Sequence, residues 1–389
     1  MIYHTIGTSD YSINYMKNIV YLINSLRKSG PVNVLMDIIA NLDRSKYTPI
    51  IIKFKKDNIS RSITHQFKEL GVYIIELNLS FWELELQTYK VASKIDNILK
   101  DLNADLIHTH GYHPVLVSSY LKADLPKIET LHCMCGEDFC NSKGLLVGRY
   151  MTWRYTARLK HIDYLVAISQ TLKNYYKQIL PNKYIDLNYN GSKFNYNKNI
   201  DKIQLRTTLG LPLDKKIYVV VGALTQNKDP KTIIRAFNKT NISNSALLIF
   251  LGEGPLLKEC KEISSGLSII FKGYVFNVED YLLAADYSIC ASKNEGFGLN
   301  FIESIICNTP VIGSNIGPFN EFREHYPLLQ KLTFEAGNIT QLSEIIELTL
   351  TQSYDITDIS LAFSELYSAK RMSNAYMQIY EKAVTHNFE

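Results

Sequence analysis

No stretch of about 18 consecutive apolar residues occurs in the chain, which is roughly the length a bilayer-spanning helix needs. A membrane-spanning segment is therefore not expected. The first residues, MIYHTIGTSDYSINY, have neither a basic start nor an apolar run, so they do not read as a secretory signal. The expected location is the cytoplasm. Cysteine is sparse, with six in 389 residues. Cys260, Cys290 and Cys307 lie in apolar stretches and read as small buried hydrophobes. Cys133, Cys135 and Cys140 crowd beside His132 in HCMCGEDFC, but zinc is usually signalled by two separated Cys-x-x-Cys-like pairs. Reduced, unligated thiols are expected there, and no metal.

Charge of either sign is not in large excess, since the formal balance is +4. Its distribution is uneven. From Lys143 to Lys193 there are nine Lys or Arg against two Asp. Such a run reads either as a solvated helix face or as a basic surface toward anionic lipid or a phosphorylated acceptor. Nucleic acid is not expected, because no recognised binding motif with stacking aromatics accompanies the charge.

What is present is a full-sized core. Hydrophobic residues make up 46% and charged residues 21% of the chain, ordinary values for a globular protein. The length is roughly twice a typical domain, so two domains are expected. Short Ile-, Val- and Tyr-rich runs alternate with helical patterns, predicting strands at Ile19–Ser25, Thr48–Phe54, Val72–Leu77, Asp105–His108, Lys127–Leu131 and Tyr164–Ala167. A helix with Leu35, Ile38, Ile39 and Leu42 on one face is expected over Pro31–Leu42. The polar stretch Asn190–Asn199 reads as a linker. A second series follows, at Ile217–Val221, Ala246–Leu251, Ser268–Phe271, Tyr287–Ala291 and Thr309–Ile312. This alternation argues for two doubly wound α/β domains with a cleft between them, at residues 16–195 and 203–365. Residues 1–15 read as a disordered extension or as sequence upstream of a start at Met16.

The segment ASKNEGFGLNFIESIICNTPVIGSNIGPFNEF, Ala291–Phe322, carries the chemistry. Glycines between a strand end and the helix predicted from Leu299 to Cys307 let the backbone approach a ligand, and a helix N-terminus favours phosphate. Glu295 and Glu303 flank that turn. Each alone reads equally as an ordinary loop or helix acid; together with Gly296-Phe297-Gly298-Leu299 they read as a site.

The segment resembles the donor-binding signature of retaining glycosyltransferases of family 4, which have the GT-B fold. The resemblance runs from Ile19 to the C-terminal helix and takes in Gly30-Pro31, His132, Val166-Ala167-Ile168-Ser169, Asn190-Gly191, Gly222 with Lys228, and Gly252-Glu253-Gly254-Pro255. It implies that Glu295 lies beside the transferred sugar and that Glu303 accepts from the ribose hydroxyls. Backbone N–H groups of Phe297 to Leu299 would hold the diphosphate. Lys228 would neutralise the departing diphosphate, and His132 would contact the donor sugar or its phosphate. Gly273-Tyr274 resembles the place where the family meets the base. Ala223 departs from the family, which commonly has an arginine there. His108 and His110 fall on one strand face and read as cleft-wall or core histidines, since the family needs no metal. Leu366, Ala369, Met372, Tyr376 and Tyr380 have helical spacing, and the resemblance implies a terminal helix, about 366–384, crossing back onto the first domain.

The activity implied is retaining transfer of a hexose or N-acetylhexosamine from a nucleotide diphosphate, UDP being the nucleotide expected, to a glycan or lipid-linked acceptor. His-Cys-x-Cys-Gly-Glu-Asp-Phe at 132–139 is similar to bacterial enzymes of surface polysaccharide synthesis (lipopolysaccharide, O-antigen or capsule). Peripheral contact with anionic membrane at the inner face of the plasma membrane goes with it. A nucleotide-sugar epimerase of the same fold, or a non-catalytic partner of another glycosyltransferase, are the alternatives. No cofactor is implied, the nucleotide sugar being a substrate.

Overall fold

Unbroken apolar runs such as Ile19–Ile23 and Ile217–Val220 suit strands covered on both faces, and both become central strands of parallel sheets. The computed structural model describes residues 16–57, 62–195, 201–240, 242 and 244–385. The proposed extension 1–15 and the linker residues 196–199 lie outside the described residues.

Seven strands form the first sheet: β1 Lys17–Ile23, β2 Tyr47–Lys53, β3 Tyr73–Glu76, β4 Leu106–His110, β5 Lys127–Leu131, β6 Tyr164–Ala167 and β7 Ile185–Leu187, in the order β3-β2-β1-β4-β5-β6-β7. Six form the second: β8 Lys216–Val221, β9 Ala246–Leu251, β10 Ile269–Gly273, β11 Tyr287–Cys290, β12 Val311–Ser314 and β13 Thr333–Phe334, in the order β10-β9-β8-β11-β12-β13. All pairings within both sheets are parallel. The strand order reverses between β1 and β4 and again between β8 and β11. Ligands of doubly wound sheets bind outside the carboxyl ends of the strands at such reversals. The loops after β1, β8 and β11 are therefore the ones to inspect.

The last helix, Ala369–Thr385, returns to the first sheet. Its Met372, Tyr376, Tyr380 and Ala383 share a core with Tyr21, Leu35 and Ile38. Tyr380 Oη lies 2.8 Å from His108 Nδ1, Tyr376 Oη lies 2.8 Å from Thr130 Oγ1, and Ser373 Oγ donates to the Ile38 carbonyl at 2.9 Å. The start expected at Leu366 is corrected. Leu366 ends the preceding helix Thr357–Leu366 and is exposed. The break falls at Tyr367–Ser368 because the chain leaving the first sheet pairs there: Ser192 N donates to the Tyr367 carbonyl and Ala369 N to the Ser192 carbonyl. A Cβ on Gly191 would stand 2.4 Å from the Ser368 carbonyl oxygen, so that crossing needs glycine.

Candidate active site

The loop after β8 and the loop after β11 are tied by one backbone bond and two asparagine side chains. Lys293 N donates to the Asn227 carbonyl at 2.8 Å, Asn227 Nδ2 to the Asn294 carbonyl at 2.8 Å, and Asn300 Nδ2 to the Val221 carbonyl at 3.0 Å. Gly222 (φ 145°) and Gly252 (φ 147°) let the loop after β9 close in behind, where a Cβ on Gly252 would lie 2.0 Å from the Gly222 carbonyl oxygen. This frame sets Lys228 against Glu295. Lys228 Nζ is ion-paired with Glu295 Oε1, which also accepts from Ser292 Oγ at 2.7 Å. Burial, which acts to lower the lysine pKa, is outweighed by the Glu295 carboxylate, so Lys228 is raised and stays a cation. Beside the pair, a small pocket is lined by Gly222, Ala223, Lys228, Cys290, Ser292 and Asn300.

Helix Leu299–Ile306 begins at the far side of the same loop, capped by Gly298 in the left-handed region (φ 96°). Its first turn leaves N–H groups without intrahelical acceptors. Phe297 contributes no side chain to the cleft: its ring is buried against Tyr189, Phe322 and Tyr367. Only its backbone is available, which is the use the resemblance implied. Gly296 meets the first domain directly. A Cβ there would stand 2.1 Å from the His132 carbonyl oxygen, and the Gly296 carbonyl accepts from Ser169 Oγ at 2.7 Å. Asn294 Nδ2 donates to Glu137 Oε2 at 2.6 Å from the same loop.

His132 follows β5, and its Nε2 lies 2.9 Å from His110 Nδ1, with the rings stacked at 5.2 Å. His108 and His110 both belong to β4 and are buried, with ring centroids 4.4 Å apart. Burial pushes His132 and His108 down to about 3, and burial with the neighbouring imidazoles pushes His110 well below its usual value. All three are neutral near pH 7. Among the described residues no group of three or more His, Cys, Asp or Glu is placed to hold a metal ion, and all six cysteines are free thiols.

Glu303 lies further along its helix and faces the first domain, where Ser192 Oγ donates to its Oε1 at 3.4 Å. Burial, then the Asp37 carboxylate, raises Glu303 to about 7, against Ser192, Lys193 and Lys28. Asp37 is raised by burial to about 7 in turn, against Lys193. Asp37 sits on helix Gly30–Ala40, which opens at Gly30 in open space. At the other edge, Gly273 (φ 69°) bridges Gly252, and the Lys28 ammonium lies 4.9 Å from the Tyr274 ring centroid. Thus Lys228, Glu295, Gly222 and the Gly296–Leu299 turn form one cluster that His132 meets across the cleft. Glu303, on the helix that this turn opens, acts on Lys228 directly, and the first domain's Lys28 lies near both Glu303 and the Tyr274 ring. Sequence reasoning missed Ser292, Asn300, Asp37 and Lys28. Strand-end position could have flagged Ser292, but Asp37 and Lys28 come into play only when the two domains are apposed.

Two facing parallel sheets, with a glycine turn opening a helix at the second sheet's strand reversal, are the architecture of the GT-B fold. The family Glycosyl transferases group 1 matches residues 201–360 and Glycosyltransferase Family 4 matches residues 28–192. The chain belongs to these glycosyltransferases. It is 25% identical over 267 residues to N-acetyl-alpha-D-glucosaminyl L-malate synthase of Bacillus anthracis, covering 64% of this chain and 69% of that protein. It is 24% identical over 371 residues to the O-antigen biosynthesis glycosyltransferase WclY of Escherichia coli, covering 93% and 97%. In fold it is similar to sucrose-phosphate synthase from Thermosynechococcus elongatus (TM-score 0.80, 16% identity, 95% and 100% covered). It is also similar to HepE of Anabaena in complex with UDP and glucose (TM-score 0.75, 17% identity, 94% and 100% covered).

Proposed function

We propose that the chain transfers a hexose or N-acetylhexosamine from a nucleotide diphosphate donor, UDP in the first instance, to a glycan or lipid-linked acceptor in bacterial surface polysaccharide synthesis, with retention of configuration. The observation that carries this reading is the Lys228–Glu295 pair beside the N-terminus of helix Leu299–Ile306. A cation and free N–H groups suit a diphosphate, and a carboxylate accepts two sugar hydroxyls at once. The relation to WclY supports the polysaccharide context, and the likeness to a UDP-bound fold supports looking for UDP first.

In this mechanism the second domain holds the donor. Glu303 accepts from the ribose hydroxyls, Gly273-Tyr274 adjoins the base, and Gly222 leaves room for the phosphates beside Lys228. The bond from the anomeric carbon to the phosphate oxygen breaks, with Lys228 and the helix N-terminus stabilising the charge that builds on the diphosphate. His132 contacts the donor from the first domain. The acceptor oxygen bonds to the anomeric carbon from the face the diphosphate leaves, and its proton passes to a phosphate oxygen. The site supplies its cation from Lys228 and calls on no metal or cofactor. The contact of Gly296 with His132 apposes the two domains, which excludes water from the reacting centre.

The test is transfer from UDP-, GDP-, ADP- and dTDP-sugars to extracted membrane glycolipids, with the product anomer read by NMR. An α-donor giving an α-product with one nucleotide class supports the reading. Inversion, or release of free sugar without acceptor, would overturn it.

A further inference from the structure

The chain has two tryptophans, and both are surface residues: Trp82 and Trp153 are each 66% exposed. They stand on neighbouring helices of the first domain. Helix Leu145–Leu159 buries Gly148, Tyr155 and Leu159 on its inner side. Its outer side carries Leu146, Tyr150 and Trp153 at spacings of four and three, and Leu146 is 83% exposed. That spacing is one helical stripe, turned toward solvent instead of core. The Arg154 guanidinium binds the Glu85 carboxylate, the Glu85 carbonyl and Thr88 Oγ1. It thereby fixes helix Phe81–Leu86, with its exposed Phe81, Trp82 and Leu86, alongside.

Cations share the run that carries this stripe. Between Lys143 and His161 there are five Lys or Arg and no Asp or Glu. Arg154 is the one paired with Glu85, while Lys143, Arg149 and Lys160 are exposed. A contiguous exposed apolar patch marks an interaction site. Interfacial tryptophan and tyrosine, beside Lys and Arg on an amphipathic helix, are the composition that settles at the headgroup level of an anionic bilayer. We propose that the outer face of helix Leu145–Leu159, with Phe81 and Trp82, docks on an anionic lipid bilayer. This deepens the membrane-side reading above and names the surface. Charge complementarity selects the bilayer: the run that carries the apolar stripe holds five cations and no acid, against Glu83 on the adjoining helix. Position agrees with it. Helix Cys135–Lys143 precedes the docking helix in sequence and starts three residues after His132, and its Glu137 holds Asn294 across the cleft. An acceptor anchored in the leaflet would thus reach the cleft along this pair of helices.

The test uses the full chain, whose tryptophan emission reports on this face alone. On adding vesicles with about 30% phosphatidylglycerol at low salt, emission should shift to the blue, brominated lipid should quench it, and the protein should sediment with the vesicles. Partition should exceed that on pure phosphatidylcholine by about tenfold or more, with most of the difference lost at high salt. Leu146→Glu and the pair Arg149→Glu with Lys160→Glu should each cut partition by about tenfold. Thermal stabilisation by UDP-sugars, measured on the same variants, reads the donor site separately. Its persistence shows the variants folded, and its failure in wild type counts against the donor reading without touching this one. No spectral shift with anionic vesicles, or Leu146→Glu partitioning like wild type, would overturn the proposal. So would self-association without lipid that Leu146→Glu abolishes, since the face would then seat a second copy.

Discussion

His110 and His132, 22 positions apart in sequence, share one hydrogen bond of 2.9 Å between Nδ1 and Nε2. The bond uses the Nε2 of His132, so its Nδ1 is the nitrogen left for a ligand. Because burial holds His132 near 3, the group stays neutral throughout the range in which the enzyme can be assayed. At saturating donor, kcat measured from pH 5 to 8 should show no limb from His132. His132→Ala should lower kcat by about a hundredfold, the scale of losing one well-placed polar contact. His110→Ala should lose part of that, and the double variant should match His132→Ala alone, because the two act as one unit. Additive losses would separate them.

Lys228 and Glu295 pair with each other in the cleft. Lys228→Met should reduce kcat by about 10²- to 10³-fold, the range for removing one charge-stabilising donor, with a smaller change in donor KM. Glu295→Gln should also impair turnover. The check is steady-state kinetics with both single variants and the double, whose loss should fall short of the product of the singles.

The Asp37 and Glu303 carboxyls face each other across the domain boundary, both raised to about 7 by burial first. A raised carboxylate stabilises the fold while protonated. That contribution is lost as pH rises from the ordinary carboxylate range toward 7. Tm should therefore fall between about pH 4 and pH 7 and level off above, and Asp37→Asn should flatten the fall. An ionised carboxylate accepts more strongly from the ribose hydroxyls, so donor affinity should rise as pH passes through about 7. Asp37→Asn should move that rise to lower pH by removing the like charge beside Glu303. Differential scanning calorimetry and donor titrations against pH measure the two.

Gly296 has no room for a side chain against the His132 carbonyl. Gly296→Ala should push the two domains apart on this edge. Turnover should collapse while nucleotide affinity is largely kept, and small-angle scattering should show a larger radius of gyration than wild type.

Much of the frame was legible in the sequence, for a physical reason. Strands covered on both faces tend to be apolar runs, and Tyr164–Ala167 and Ala246–Leu251 match theirs to the residue, as does Lys127–Leu131 despite its buried Glu129 and Thr130. The edge strands Ile185–Leu187 and Thr333–Phe334 were missed, being three and two residues long, too short to carry a periodic signal. The strand expected at Thr309–Ile312 lies at Val311–Ser314, because Thr309 is spent closing the preceding helix, its N–H bonded to the Ser304 carbonyl. In the site, the Glu295–Glu303 segment announced itself by glycine placement at a strand-to-helix turn. The Lys228–Glu295 contact, Asp37 opposite Glu303 and Lys28 on Tyr274 are products of loop packing and domain apposition, which no local pattern encodes.

The most direct measurement is a calorimetric titration of UDP and of UDP-sugars into wild type and Glu303→Ala. One nucleotide should bind wild type at a single site. Glu303→Ala should weaken it by about tenfold or more, the cost of a charged hydrogen-bond acceptor being about 1.5–3 kcal/mol. Equal affinity in both proteins would contradict placing the donor on helix Leu299–Ile306.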